Sequence, residues 1–89
     1  MVYFFYSLYH WYIDYELSYI SNAKLTVYDL LGRQVEILHD GIQFPNYYTI
    51  KWDASKYSSG IYFVQMTIQD IQNNNKHHFP QTKKILFLK

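Results

Sequence analysis

Ile61-Tyr62-Phe63-Val64-Gln65-Met66-Thr67-Ile68, residues 61–68, decides the fold. Tyr62, Val64, Met66 and Ile68 share one parity, and Phe63, Gln65 and Thr67 share the other. Successive side chains of a strand point to opposite faces, so a period of two reads as a strand with one face on a core. Aromatic and β-branched residues fill it, as a pleated, half-buried surface requires. Gly60 bounds it on one side, and the polar run DIQNNNK, residues 70–76, bounds it on the other as a loop.

The same period recurs on the N-terminal side. Tyr48, Ile50 and Trp52 alternate with Thr49 and Lys51 and stop at Asp53. Residues 54–59 form a polar connection with room for one helical turn. Phe44-Pro45-Asn46 reads as a turn, because Pro45 presets φ and Asn46 tolerates the left-handed region. Asp40-Gly41 gives a second turn signal. Residues 33–38 read as a strand with Val35 and Ile37 on one face, and Leu38 breaks the alternation, as a β-bulge does. Leu25 and Val27 alternate with Lys24, Thr26 and Tyr28, and Asp29-Leu30-Leu31-Gly32 closes a hairpin. Gly32 is expected at positive φ, and Gly60 at positive φ or at a close backbone approach. Ser21-Asn22 reads as the turn before that strand. Ile13, Tyr15 and Leu17 alternate with Asp14, Glu16 and Ser18 in a further strand. On the C-terminal side, Lys83, Ile85 and Phe87 alternate with Lys84, Leu86 and Leu88.

Six to seven short strands divided by Gly, Pro and Asn signals, with no sustained helical period, imply an all-β protein. The expected architecture is an immunoglobulin-like antiparallel β-sandwich. Its expected core is Leu25, Val27, Val35, Ile50, Trp52, Tyr62, Val64 and Met66, the inward sets of facing strands.

The 89 residues allow one domain. There is no cysteine, so neither a disulfide nor a thiolate metal site staples the chain. Eleven tyrosines and six phenylalanines supply the buried area instead. A net charge of +1 lacks the basic excess of a nucleic-acid surface. Residues 1–13, MVYFFYSLYHWYI, have no basic lead and no small-residue cleavage site, so they do not read as a signal peptide. They are also short of the ~20 apolar residues of a membrane helix. They read as an aromatic lead-in to the first strand. The expected division is a divergent aromatic segment, 1–12, and an Ig-like domain, 13–89.

No constellation carries chemistry. His77 and His78 are adjacent, so on a strand they would point apart and could not chelate one metal. Asp14 and Glu16 share a face but need a cleft to work as a glycosidase pair. Ser58-Ser59-Gly60 lacks the G-x-S-x-G elbow. Gly32, Gly41 and Gly60 are too dispersed to cradle a phosphate. Trp52 beside Asp53 invites a sugar-stacking reading, against which a core tryptophan is the stronger one. No enzyme activity and no cofactor are expected.

Two segments together carry a resemblance: Leu25-Thr26-Val27-Tyr28-Asp29-Leu30-Leu31-Gly32-Arg33-Gln34-Val35, and Ile50-Lys51-Trp52-Asp53 followed by Ser59-Gly60-Ile61-Tyr62-Phe63. Their order and spacing resemble the C-terminal sorting domain of the type IX secretion system. They are also similar to the Ig-like domain of the flagellar hook-capping protein. Lys83-Lys84-Ile85-Leu86-Phe87-Leu88-Lys89 looks like the lysine-flanked last strand of such sorting domains. The motif residues are Tyr28, Asp29, Gly32, Arg33, Trp52, Asp53, Gly60 and Tyr62, expected to be structural. The resemblance covers about 13–89. It departs at residues 1–11, which are aromatic and proline-free where family members carry a PNPF-like stretch.

The resemblance implies a non-catalytic tag that directs a passenger through the outer membrane, with the passenger itself missing from this chain. It implies an outer-membrane translocon as reader, through Lys83, Lys84 and Lys89. A sortase-like protease is the implied second partner. The implied destination is the surface of a Gram-negative bacterium, reached through the periplasm. The alternative is a structural Ig-like module, hook-cap-like or adhesive.

Overall fold

The computed structural model describes residues 2–7 (backbone only), 9–71 and 81–88. The described residues form seven strands: β1 Val2–Ser7, β2 His10–Leu17, β3 Ser21–Asp29, β4 Gln34–Gln43, β5 Asn46–Asp53, β6 Gly60–Asp70 and β7 Gln81–Phe87. None of these residues is helical. One sheet has the order β1-β2-β5 and the other β4-β3-β6-β7, all pairs antiparallel. The chain changes sheet between β2 and β3, β4 and β5, and β5 and β6.

The core lies between the two sheets. Ile13, Tyr15, Leu17 and Trp52 face it from the three-stranded sheet, and Leu25, Val27, Val64, Met66, Ile85 and Phe87 from the four-stranded one. Each set is one parity of its strand, which is the β-sandwich expected from the alternation. Of the expected core, Leu25, Val27, Trp52, Tyr62, Val64 and Met66 are buried, while Val35 and Ile50 are half-buried and packed against it. Both of the latter sit on edge strands, where one flank stays wet. Tyr15 resolves its polar end by donating a hydrogen bond to Gln43 Oε1 at 2.6 Å. Burial pushes its phenol pKa up.

The β3–β4 ladder skips Leu38, between His39 opposite Leu25 and Ile37 opposite Thr26. It skips Val35 as well, between Glu36 opposite Val27 and Gln34 opposite Tyr28. The bulge expected at Leu38 is therefore present, with a second at Val35 towards the hairpin turn. Each unpaired residue turns its side chain onto the core.

Several local expectations are corrected. Ser21 and Asn22 do not turn but begin β3, and the turn is at Ser18-Tyr19-Ile20. Ser21 extends the inward parity through Ala23 to Leu25, and its hydroxyl is satisfied by the Tyr19 carbonyl at 2.8 Å. Asp40-Gly41 is inside β4, opposite Lys24 and Ala23, with Gly41 at φ 154°. A glycine inside a strand bends it rather than ending it. Gly60 has neither a positive φ nor a close approach, since an added Cβ would meet only a Tyr62 ring carbon at 3.9 Å. It starts β6 in ordinary extended form opposite Phe87. Residues 54–59 hold one turn, closed by Tyr57 N–H to the Ala54 carbonyl at 3.0 Å, and no helix. Most of the DIQNNNK loop lies outside the described residues; Asp70 itself closes β6.

Candidate functional site

Tyr28, Asp29, Gly32, Arg33, Gly60 and Tyr62 lie at one end of the four-stranded sheet, and Trp52 of β5 packs against Tyr62 from the other sheet, with Asp53 next to it in the chain. Asp29 ends β3 opposite Tyr62 of β6, and Tyr28 lies opposite Phe63. The Asp29 carboxylate organises the β3–β4 turn. Its Oδ1 accepts from Leu31 N–H at 3.0 Å and Arg33 N–H at 2.9 Å, and its Oδ2 accepts from Arg33 Nε at 2.8 Å. The Arg33 backbone bond, joined by that residue's side chain and charge, holds this carboxyl below the ordinary value of 3.8. Gly32 supplies the left-handed residue of the turn at φ 80°, as expected.

Trp52 is fully buried. Its ring lies 5.4 Å from Tyr62 and 5.7 Å from Tyr57, centroid to centroid. It offers no face to a sugar, and the core reading of this residue holds. Tyr62 donates to the Ser58 carbonyl at 2.7 Å and meets Phe87 edge-on at 6.5 Å. Asp53 turns the chain by accepting from Ser55 N–H at 3.0 Å, and that residue's side chain and backbone bonds hold its carboxyl low. The eight motif residues thus form a turn, an aromatic plug and two strand ends, and Gly60 and Tyr62 pair directly with β7 at Phe87 and Ile85.

Among the described residues β7 is an edge strand, paired with β6 alone. Ile85 and Phe87 anchor it in the core, and sequence reasoning did not count them there. Lys83 and Lys84 are exposed on opposite faces. Among the described residues no carboxylate lies within ion-pair distance of either. Lys89 lies outside the described residues, as do His77 and His78.

The opposite edge of this sheet, β4, is closed differently. Tyr57 reaches across from the β5–β6 connection and donates to Glu36 Oε1 at 2.7 Å and to the Val35 carbonyl at 3.3 Å. Desolvation, with Glu36 nearby, pushes the Tyr57 phenol up to about 12. Lys56 Nζ adds a 3.6 Å ion pair to Glu36. Neither Tyr57 nor Glu36 stood out in the sequence, because their contact spans two sheets.

Asp14 and Glu16 lie on the outer face of β2 and are engaged across to β5. Asp14 accepts from Thr49 Oγ1 at 2.7 Å, and the Glu16 carboxylate hydrogen-bonds the Tyr47 phenol and raises its pKa. Among the described residues no group of three or more metal-ligating side chains converges, and no helix is long and apolar enough to cross a membrane.

A family model described as the secretion system C-terminal sorting domain matches residues 10–85. The match starts at the first residue of β2 and ends within β7. No curated protein and no solved structure matches.

Proposed function

Because the chain belongs to the secretion-system C-terminal sorting domain family, we propose that export is read from β7 and that Lys83, Lys84 and Lys89 are the charges recognised. The domain is a non-catalytic sorting signal for type IX secretion, and it acts with that system's machinery. Its context is export to the cell surface or the medium. The observation that carries the function is the match over residues 10–85, which takes in both motif segments and most of β7.

The finer reading follows from the division of labour at this end of the sheet. Tyr28, Asp29, Gly32, Arg33, Trp52, Asp53, Gly60 and Tyr62 act by holding β6 in place, and β6 holds β7. An outer-membrane translocon is the first partner and a sortase-like protease the second, and any bond cleavage belongs to the latter. The host is a Gram-negative bacterium, and the passenger passes through the periplasm.

The test is a fusion of the 89-residue chain behind a reporter carrying its own inner-membrane signal, in a bacterium with a type IX system. The reporter should become accessible to added protease on intact cells. The Lys83→Ala, Lys84→Ala, Lys89→Ala variant should lose surface reporter, and its fold is checked by thermal unfolding; Lys83 and Lys84 are exposed, and such side chains contribute little to stability. An intact fusion held in the periplasm, beside an established sorting domain that exports the same reporter, would overturn the function and leave a structural Ig-like module. Full export of the triple variant would overturn only the lysine assignment.

A further inference from the structure

The two edges of the four-stranded sheet differ in a way that selects one for docking. Edge strands carry a row of N–H and C=O groups that a further strand can pair, and proteins blunt them with bulges, charges or covering groups. β4 is blunted twice over: its ladder is broken at Val35 and Leu38, and the Tyr57 hydroxyl occupies the Val35 carbonyl. β7 has neither a bulge nor a covering group among the described residues; its protection is charge, the exposed Lys83 and Lys84, which blocks unmatched strands and admits one that carries the opposite charge. Its register with β6 runs unbroken from Phe87 opposite Gly60 to Gln81 opposite Met66. In an antiparallel ladder alternate residues turn both backbone groups to the partner, so the intervening residues of β7 turn theirs outward.

The charges name the occupant. Lys83 and Lys84 project from opposite faces of this edge without a carboxylate in reach among the described residues. Of the two edges of the three-stranded sheet, β1 (VYFFYS) has no charged residue to select a partner, and β5 has its charges matched at home: Lys51 lies near enough to Asp53 to lower its pKa, and His10 Nε2 is 3.7 Å from Asp53. A second copy of this chain is a poor occupant of β7. The antiparallel register of fullest overlap over Gln81–Phe87 centres on Lys84 and sets like charges directly opposite, which is destabilising.

We propose that β7 is completed by strand addition: an extended segment of the export machinery, carrying a carboxylate on each face, pairs with its outer edge as a fifth strand of the sheet. Backbone pairing supplies affinity and the side chains supply choice. The added strand places its outward residues beside Leu86, which is 59% exposed and opposite Ile61. The proposal rests on the sorting reading and names the chemistry of its partner.

The experiment uses the reporter fusion of the whole chain with Lys83→Pro and Lys84→Pro made singly. One of these removes a bond to β6 and the other removes only an outward N–H. Thermal unfolding of the purified domains tells which, since the outward variant keeps the parental melting temperature. That variant should lose surface reporter by at least about tenfold, and by more than the alanine variant at the same position. The double variant Lys83→Glu, Lys84→Glu should lose at least about as much. If the fold-neutral proline variant is exported like the parent, no strand is added at β7, though sorting stands. If the charge reversal is exported like the parent, the acidic partner is wrong. If both prolines unfold the domain, the charge reversal decides alone. If the parent itself stays periplasmic, the sorting reading fails and this proposal fails with it.

Discussion

Asp29 and Arg33 close the β3–β4 hairpin through both carboxylate oxygens: Oδ1 takes the Arg33 backbone N–H at 2.9 Å and Oδ2 takes its Nε at 2.8 Å. The backbone is tied as well, with Asp29 N–H donating to the Arg33 carbonyl at 2.9 Å. This turn sits beside the β6 residues that support β7. On the proposed reading, its integrity is a condition for presenting β7.

The turn should be acid-sensitive. The folded pKa of Asp29 lies below its ordinary 3.8, so the ionised form is favoured by folding. Its contribution is complete above the ordinary value and is lost as pH falls through the lower folded value. Asp53 is shifted in the same direction and adds to the same limb. Melting temperature measured from pH 7 down to pH 2 should show a steeper acid fall in the parent than in Asp29→Asn. Asp29→Ala should melt a few degrees lower than the parent at pH 7. Equal acid limbs in parent and Asp29→Asn would show that the carboxylate charge contributes nothing.

The three glycines should separate by φ and not by space. No neighbour crowds a Cβ built on Gly32 or Gly41, so the cost of a side chain there is backbone strain at φ 80° and 154°. Gly32→Val and Gly41→Val should each cost about 1 kcal/mol or more. Gly32→Asn should cost less than Gly32→Val, because asparagine tolerates the left-handed region. Gly60 is at ordinary φ with its nearest neighbour at 3.9 Å, so Gly60→Ala should be tolerated best. Urea unfolding of the variants checks the order.

Ile85 is nearly fully buried and pins β7 from the inside. Ile85→Ala should cost about 2–5 kcal/mol through lost transfer energy and a residual cavity. That is a large share of the ~5 kcal/mol at the low end for small domains. Amide exchange should then show β7 opening more easily than β3. Leu86→Ala on the exposed face of the same strand should leave stability within about 0.5 kcal/mol. Equal costs at the two positions would mean that β7 does not pack as described.

Tyr57 should show itself at high pH. Its phenol is raised from 10.0 to about 12 in the folded chain, so folding favours the neutral form. The contribution is full below the unfolded value near 10 and is lost as pH rises through about 12. Tyr57→Phe removes the bonds to Glu36 and Val35 and should cost about 1 kcal/mol at neutral pH. It should also flatten the alkaline fall, read by denaturant unfolding at pH 8 to pH 11.

The strands that alternate cleanly were legible from residue types alone. β6 reads from Tyr62, Val64 and Met66, and β3 from Leu25 and Val27, because burial on one face imposes the period. The bulge at Leu38 was legible because it breaks that period. Ser21 and Gly41 misled because each is a turn former by composition, and only pairing with Gln43 and Ala23 places them in strands. Residues 1–12 read as a lead-in to one strand, but Val2–Ser7 form a strand of their own that folds back on β2, a pairing the aromatic run does not signal. The lysines of β7 suggest an edge strand in the sequence, but which sheet and which neighbour they border does not show there. That property belongs to the order β4-β3-β6-β7, which is set by contacts far apart in the chain.

The measurement that bears most directly on the account is the surface fraction of the reporter fused to this chain in two strains that differ only in the type IX translocon. Protease accessibility on intact cells, scored against a periplasmic marker, gives that fraction. The account predicts reporter on the surface or in the medium of the competent strain and reporter retained in the periplasm of the strain lacking the translocon. The same distribution in both strains would contradict it.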